Sequence, residues 1–423
     1  MNILVVGGGG REHALVWKLA GDSTAPRVYC APGNAGTAAI ATNLNIGAED
    51  IDGLVAWAQE IRPELTVIGP EAPLCAGLTD RLEALGLAVF GPCRAAAELE
   101  GSKVFAKEVM QSAGVPTAAY AAFTDAQAAR AALATHPLPL VIKAEGLAAG
   151  KGVYICETRR QAEDAIHDIM DEQRFGEAGA RIIIEEHLSG EEASILALID
   201  GENILMLASS QDHKRVGEND SGPNTGGMGA YSPAPVVTDD LWQVIREDIY
   251  VKTLNELRRR GITYRGVLYA GLMMTADGPK VLEFNCRFGD PETQAVLPRI
   301  DGDLLPALLA CAKGGLTTDM LRWKAEACVC VVMAAGGYPG DYRKGDQISG
   351  IGKAEETTGA TVFHAGTKAL DGKVLTAGGR VLGVTNTGQD LPAAVENTYR
   401  AVEMISFADA HFRRDIAQKG LRG

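Results

Sequence analysis

The stretch Val281-Leu282-Glu283-Phe284-Asn285-Cys286-Arg287-Phe288-Gly289-Asp290-Pro291-Glu292 alternates polar and apolar side chains. On the two-residue period of a β-strand, Glu283, Asn285 and Arg287 share one face while Leu282, Phe284, Cys286 and Phe288 share the other. Carboxylate and amide oxygens side by side are hard donors that suit Mg²⁺, an ion that keeps water and substrate phosphates in its shell. Arg287 can fork onto a carboxylate or a phosphate. The same alternation also fits the solvated face of an antiparallel sheet, which needs no ligand.

Glycine-rich loops supply a second kind of chemistry. Gly7-Gly8-Gly9-Gly10-Arg11-Glu12-His13 follows the first apolar run and opens a helix, where backbone N–H groups and the helix dipole suit an anion. It misses the dinucleotide fingerprint G-x-G-x-x-G, because Glu12 or His13 stands where the last glycine belongs. The second run ends in another glycine loop, Ala31-Pro32-Gly33-Asn34-Ala35-Gly36-Thr37, and not in a ribose-binding acid. Two adjacent loops of this kind point to one phosphorylated ligand, with a plain structural turn as the alternative. Glu71, in Gly69-Pro70-Glu71, sits at a strand's carboxyl end and can bond ribose hydroxyls, though such a glutamate is often just solvated. Glu145-Gly146-Leu147-Ala148-Ala149-Gly150-Lys151-Gly152 is one residue short of a P-loop, and Gly152 replaces the metal-binding Ser or Thr. Hung between two strands, it can close over phosphates, with Lys143 aimed at them. Glu186 to Glu192 reads as a crossing where backbone groups meet an adenine and Glu192 its ribose.

The elements that position these residues follow from periodicity. Strands at 3–6, 28–30, 65–68 and 87–90 alternate with helices, which predicts a doubly wound parallel α/β unit. A helix over 102–112 leads into a small α+β lid. Strands at 193–199 and 204–209, a polar loop at 212–233, a helix at 239–260 and strands ending at 283–288 form a second α+β block, and a mixed C-terminal α+β region closes the chain. At 423 residues the chain exceeds one ordinary core. Hydrophobic residues at 46% and charged ones at 22% predict folding throughout. A net charge of -14 with scattered cations argues against nucleic acid. The start reads as a strand and not as a signal peptide, and no apolar run nears the ~20 residues of a membrane span. Dispersed cysteines without a Cys-x-x-Cys pair fit a cytoplasmic, reducing setting.

Together these motifs resemble the ATP-grasp superfamily and, within it, the glycinamide ribonucleotide synthetases. Arg287-Phe288-Gly289-Asp290-Pro291-Glu292-Thr293-Gln294 matches the family signature, and Gln211-Asp212-His213-Lys214-Arg215 with Gly222-Pro223-Asn224-Thr225-Gly226-Gly227-Met228-Gly229-Ala230-Tyr231 matches its substrate loop. The resemblance implies an N-terminal substrate domain (1–101), a connecting helix and linker (102–116), an ATP-grasp lid (117–190), a central ATP-grasp domain (191–321) and a C-terminal domain (322–423). It implies ATP-dependent ligation of glycine to 5-phosphoribosylamine through a glycyl phosphate, in purine biosynthesis. Lys103, Lys143, Gly150, Lys151, Gly152, Glu185, Glu186, Leu188 and Glu192 would hold ATP, and Glu283 and Asn285 would hold Mg²⁺ or Mn²⁺. Gly9, Gly10, Asn34, Gly36, Thr37, Glu71, Asp212, Lys214 and Arg287 would hold the other substrates, with Arg287, Lys143 and Asp212 at the reaction. A monomer is expected, making only transient contact with neighbouring enzymes of the pathway. Many superfamily members add a metal-binding acid from the preceding strand, but residues 267–274 contain none. A ligase for a different amine, a nicotinamide oxidoreductase and a non-catalytic nucleotide sensor are the competing readings.

Overall fold

The computed structural model describes residues 1–147 and 152–422. The N-terminal strands form the expected parallel sheet, in the order Thr42–Asn43, Arg27–Pro32, Asn2–Gly7, Leu65–Ile68, Val89–Phe90. Ile3 and Val5 enter one hydrophobic core while Leu4 and Val6 enter another, so the central strand is covered on both faces, and its unbroken apolar run follows from that. Chain order reverses between Asn2–Gly7 and Leu65–Ile68. Their carboxyl ends carry Gly7 to Gly10 and Gly69 to Glu71, which therefore flank the crevice where such sheets bind ligands.

Ser102 caps the helix Lys103–Ala113 by accepting the Phe105 N–H at 3.0 Å, and Gly114 ends it in the left-handed region at φ 65°. Beyond it, Tyr120–Phe123, Ile182–Glu186, Leu140–Ala144 and Val153–Cys156 form an antiparallel sheet in that order. A second antiparallel sheet runs Ile204–Met206, Glu191–Asp200, Arg265–Thr275, Gly278–Asn285. The two sheets are joined where the Thr117 hydroxyl donates to the Val281 carbonyl at 2.6 Å.

Two expectations need correction. The strand carrying Glu283 ends at Asn285, and its register slips between Gly271 and Leu272, leaving Leu282 half-buried at a bulge. Arg287 therefore lies beyond the strand, and the alternation that seemed to run unbroken through it spans a bulge, a strand and a turn. The polar loop at 212–233 also contains strands. Its ends, Gln211–Asp212 and Gly229–Ser232, are the first two strands, edge strand first, of an antiparallel sheet that continues through Ala327–Ala334 and Arg380–Gly388 to Thr361–His364. Gly229 allows this pairing, since a Cβ there would lie 2.7 Å from the Cys330 carbonyl oxygen. No helix among the described residues is long and apolar enough to cross a membrane.

Candidate active site

Two lysines share one carboxylate at the base of the first antiparallel sheet. Lys143 Nζ lies 2.9 Å from Glu185 Oε2 and Lys107 Nζ lies 3.3 Å from Glu185 Oε1, with all three side chains buried. Adjacent antiparallel strands set the first contact, because Lys143 pairs with Ile183 and Val141 with Glu185. Lys143 also donates to the Leu282 carbonyl at 3.1 Å, the oxygen of the bulge residue, which ties this sheet to the Glu283 strand. Burial pushes the Lys107 ammonium down to about 8, against the opposing pull of Glu185. Lys103 Nζ donates to the Gly146 carbonyl at 2.9 Å and is likewise lowered by burial. Glu145 accepts the Val104 N–H at 3.0 Å and a bond from the Ser102 hydroxyl, so the entry to the glycine loop is anchored on that helix. Gly152 pairs with Ala144, whereas Gly150 and Lys151 lie outside the described residues. Leu188 is buried, Glu186 accepts the Ala119 N–H at 3.3 Å, and Glu192 pairs with Lys214 at 2.6 Å.

Glu283 lies at the meeting point of these cations. Burial alone would raise its pKa, yet Lys214, Lys143, Lys103 and Arg287 together hold it below the usual carboxylate range. Asp212 goes the other way: burial raises it, and Glu292, Glu192 and Glu283 add to that against the pull of Lys214. Among the described residues no group of three or more His, Cys, Asp or Glu could hold a metal alone. Glu283 and Asn285 still suit an ion such as Mg²⁺ that takes the rest of its shell from phosphates and water.

Arg287 is shared. Its Nη2 lies 3.1 Å from Glu100 Oε1 and donates to Asn285 Oδ1 at 3.2 Å, while Nε reaches Glu71 Oε2 at 3.4 Å. The turn that follows packs on the N-terminal sheet, with Phe288 stacked on Phe90 at 5.8 Å and Arg11 Nη1 donating to the Phe288 carbonyl at 3.2 Å.

The two N-terminal glycine loops do lie side by side: a Cβ on Gly8 would sit 2.7 Å from the Gly33 carbonyl oxygen. Part of the glycine requirement is internal. Glu12 folds back to accept the Gly9 N–H at 2.7 Å, and Cβ atoms on Gly7 or Gly69 would fall 2.5 and 2.1 Å from its side chain. Gly10 leaves room for Gln294, whose Nε2 would be 2.6 Å from a Cβ. Asn34 uses its side chain within the fold, donating to the Gly8 carbonyl at 3.0 Å and accepting from Gly36 N–H at 2.9 Å and Thr37 N–H at 3.1 Å. Thr37 is fully buried and bonds Asn34 and Asn43. Several backbone N–H groups of the two loops are thus taken within the fold, that of Gly9 by Glu12 and those of Gly36 and Thr37 by Asn34, at the N-terminus of the helix Gly10–Ala20.

The expected residues thus fall into a set on the N-terminal parallel sheet and its loops (Gly9, Gly10, Asn34, Gly36, Thr37, Glu71) and a set on the Lys103–Ala113 helix and the two antiparallel sheets (Lys103, Lys143, Glu185, Glu192). Glu283, Asn285 and Arg287 lie between them, with Asp212 and Lys214 beside Glu283. Sequence reading missed Glu100, Lys107, His13, His364 and Arg380. Only Lys107 carried a signal, four residues after Lys103 on the same helical face.

Models of the phosphoribosylglycinamide synthetases match the chain in three consecutive parts: the N domain over residues 1–100, the ATP-grasp (A) domain over 101–293 and the C domain over 328–419. A phosphoribosylamine–glycine ligase of Yersinia pestis is 51% identical over 426 residues, covering 100% of this chain and 99% of the relative. The crystal structure of the phosphoribosylamine–glycine ligase of Thermotoga maritima superimposes with a TM-score of 0.87 at 35% identity, covering 99% of this chain and 100% of the other. The biotin carboxylase domain of a Hydrogenobacter thermophilus 2-oxoglutarate carboxylase, solved with MgADP and bicarbonate, shares the fold with a TM-score of 0.72 at 16% identity, over 97% of this chain and 91% of the other. The crevice between a glycine-loop sheet and a lysine-lined lid is therefore that of a known lineage: the chain belongs to the phosphoribosylglycinamide synthetase family.

Proposed function

We propose that the chain joins glycine to 5-phosphoribosylamine at the expense of ATP, giving glycinamide ribonucleotide, ADP and phosphate. The observation that carries this reading is Arg287, one guanidinium bonded at once to Glu71, which we assign to the sugar, and to Asn285, which we assign to the metal. A ligand spanning both sets of residues has to react beside it.

No enzyme nucleophile is needed. A glycine carboxylate oxygen attacks the γ-phosphorus of ATP, the bond to ADP breaks, and glycyl phosphate forms. The amine of phosphoribosylamine then attacks the acyl carbon, phosphate leaves, and the amine proton passes to solvent. Lys143, fixed by Glu185 and the Leu282 carbonyl, offsets the charge on the transferring phosphoryl group, and Arg287 that on glycine's carboxylate. Asp212, whose pKa burial and then Glu292, Glu192 and Glu283 raise, becomes the anionic partner of the glycine ammonium only as that added cation draws it back toward ionisation. When bound by Glu283, Asn285 and the nucleotide phosphates, Mg²⁺ or Mn²⁺ supplies Lewis-acid neutralisation. Lys103, Glu186, Leu188 and Glu192 line the nucleotide, while Gly9, Gly10, Gly36 and Glu71 line the sugar phosphate. The lid at 117–190, hinged at Thr117, excludes water from the acyl phosphate.

The test is ADP release with glycine and freshly made phosphoribosylamine, each omitted in turn. Release that needs both supports the reading. A ligase for a different amine would release ADP with glycine only when another amine replaces phosphoribosylamine, and a nucleotide sensor would show no turnover with any of them.

A further inference from the structure

Glu100 stands near the carboxyl end of the helix Arg94–Gly101, where a negative charge opposes the helix dipole, so helix stability does not account for it. Its side chain is only 7% exposed and both oxygens are engaged with the far side of the crevice. Oε2 accepts the Cys286 N–H at 2.7 Å, the first backbone donor after the strand Gly278–Asn285 ends. Oε1 lies 3.1 Å from Arg287 Nη2, the same nitrogen that donates to Asn285 Oδ1. Cys286 adds a contact of its own, its Sγ donating to the Ala96 carbonyl at 3.5 Å, one turn earlier on the same helix.

The two acids on Arg287 differ in kind. Glu71 is a third exposed and 3.4 Å away, open to exchange its partner for a ligand, whereas Glu100 is buried and closer. We propose that Glu100 is a positioning residue for Arg287, its carboxylate fixing the guanidinium and the Cys286 peptide together so that Asn285 and Arg287 face the reacting centre as one rigid unit. A planar fork is productive only in one orientation, and a buried charge-assisted contact sets it. This inference rests on the role proposed above for Arg287.

Glu100→Gln keeps the shape and a backbone acceptor but removes the charge that orients the guanidinium. Its kcat should fall about 10–100-fold, as for outer-shell partners of catalytic ligands, while KM for ATP and for phosphoribosylamine stays within about threefold. Because Glu100 acts through Arg287, the double variant Glu100→Gln/Arg287→Gln should be no slower than Arg287→Gln alone, within about twofold. A wild-type kcat in Glu100→Gln overturns the proposal. So do losses that multiply in the double variant, or a collapse of every KM together with the melting temperature. Should Glu100→Gln fail to fold, Glu100→Asp, which keeps the charge at shorter reach, is read by the same criteria. Arg287→Gln at the wild-type rate would instead reject the role of Arg287, a separate failure.

Discussion

Glu283 stays ionised in a crowded interior because the cations around it outweigh the cost of its burial, and each cation has a second partner. Lys143 holds Glu185, Lys214 holds Glu192, Arg287 holds Glu100, and Lys103 donates to the Gly146 carbonyl. Glu283→Gln leaves every one of these cations a hydrogen-bonding partner, though for Lys103 only the neutral Gly146 carbonyl, so it should still fold, yet it removes the one anionic metal donor of the pair Glu283 and Asn285. The Mg²⁺ concentration for half-maximal rate should rise at least about tenfold. A rate equal to wild type at limiting Mg²⁺ would take Glu283 out of the metal shell. At this scale the sequence was informative where function lies in a local pattern: Glu283, Asn285 and Arg287 stood out by their spacing. Glu100 could not, since its partners Cys286 and Arg287 lie far along the chain, the first of them 186 residues away. Lys107 is similar, its surroundings set by Glu185, Thr117 and the Ala118 carbonyl, contacts that only the folded chain brings together.

The segment 211–232 shows at the scale of elements why the C-terminal sheet could not be read from sequence. Its two-residue strand Gln211–Asp212 and the strand Gly229–Ser232 carry too few residues for a period to show, and they take their register from Ala327–Ala334, about a hundred positions on. The glycine-rich stretch between them is held in place from outside. Arg380 donates to the Gly226 carbonyl, bonds the Asp290 carbonyl at 2.8 Å and pairs with the Asp290 carboxylate at 3.1 Å, while the Gly226 N–H donates to Tyr338 Oη at 3.0 Å. One arginine thus fixes both the glycine-rich loop at Gly226 and the turn at Asp290. Arg380→Met should free both, raising KM for glycine and phosphoribosylamine at least about tenfold with less than about threefold change for ATP, whose lysines lie elsewhere. Steady-state kinetics with each substrate varied in turn checks this. An equal rise for all three would mean that Arg380 supports the fold and not the loop.

For the whole molecule, the parallel N-terminal unit and the two α+β blocks were legible from their apolar strands, whereas the short strands Thr42–Asn43 and Tyr120–Phe123 carried no signal. The way the C-terminal sheet closes on the glycine loops was not legible. Both loops grip the backbone of His364: its N–H donates to His13 Nδ1 at 2.7 Å, and Asn34 Nδ2 donates to its carbonyl at 2.7 Å. Gly36 is small for this reason too, since a Cβ would lie 2.2 Å from His13 Cε1 and 2.8 Å from His364 Cδ2. Gly36→Val should therefore lower the melting temperature along with phosphoribosylamine affinity.

The same junction makes the assembled fold sensitive to acid. His13 is lowered to about 3 by burial and then by its neighbour His364, which burial lowers to about 4. His213, beneath the substrate loop, falls to about 4 through burial, with Arg413 and Lys419 adding to it. These folded values lie below the unfolded value of 6.5, so between pH 6.5 and about 4 the unfolded chain binds protons that the folded chain refuses. Stability therefore declines as pH falls through that window, by about 1.4 kcal/mol per unit for each histidine fully titrating in one state only. At pH 5 unfolding should take up roughly one proton for each of these residues, read from calorimetric unfolding enthalpies in buffers of different ionisation heat. His13→Gln can still accept the His364 N–H but does not titrate, so its uptake at pH 5 should be lower than wild type by about one proton. Equal uptake in the two proteins would mean that His13 is protonated in the folded state, and the N-terminal loops would then be held to the C-terminal sheet by something other than a neutral imidazole.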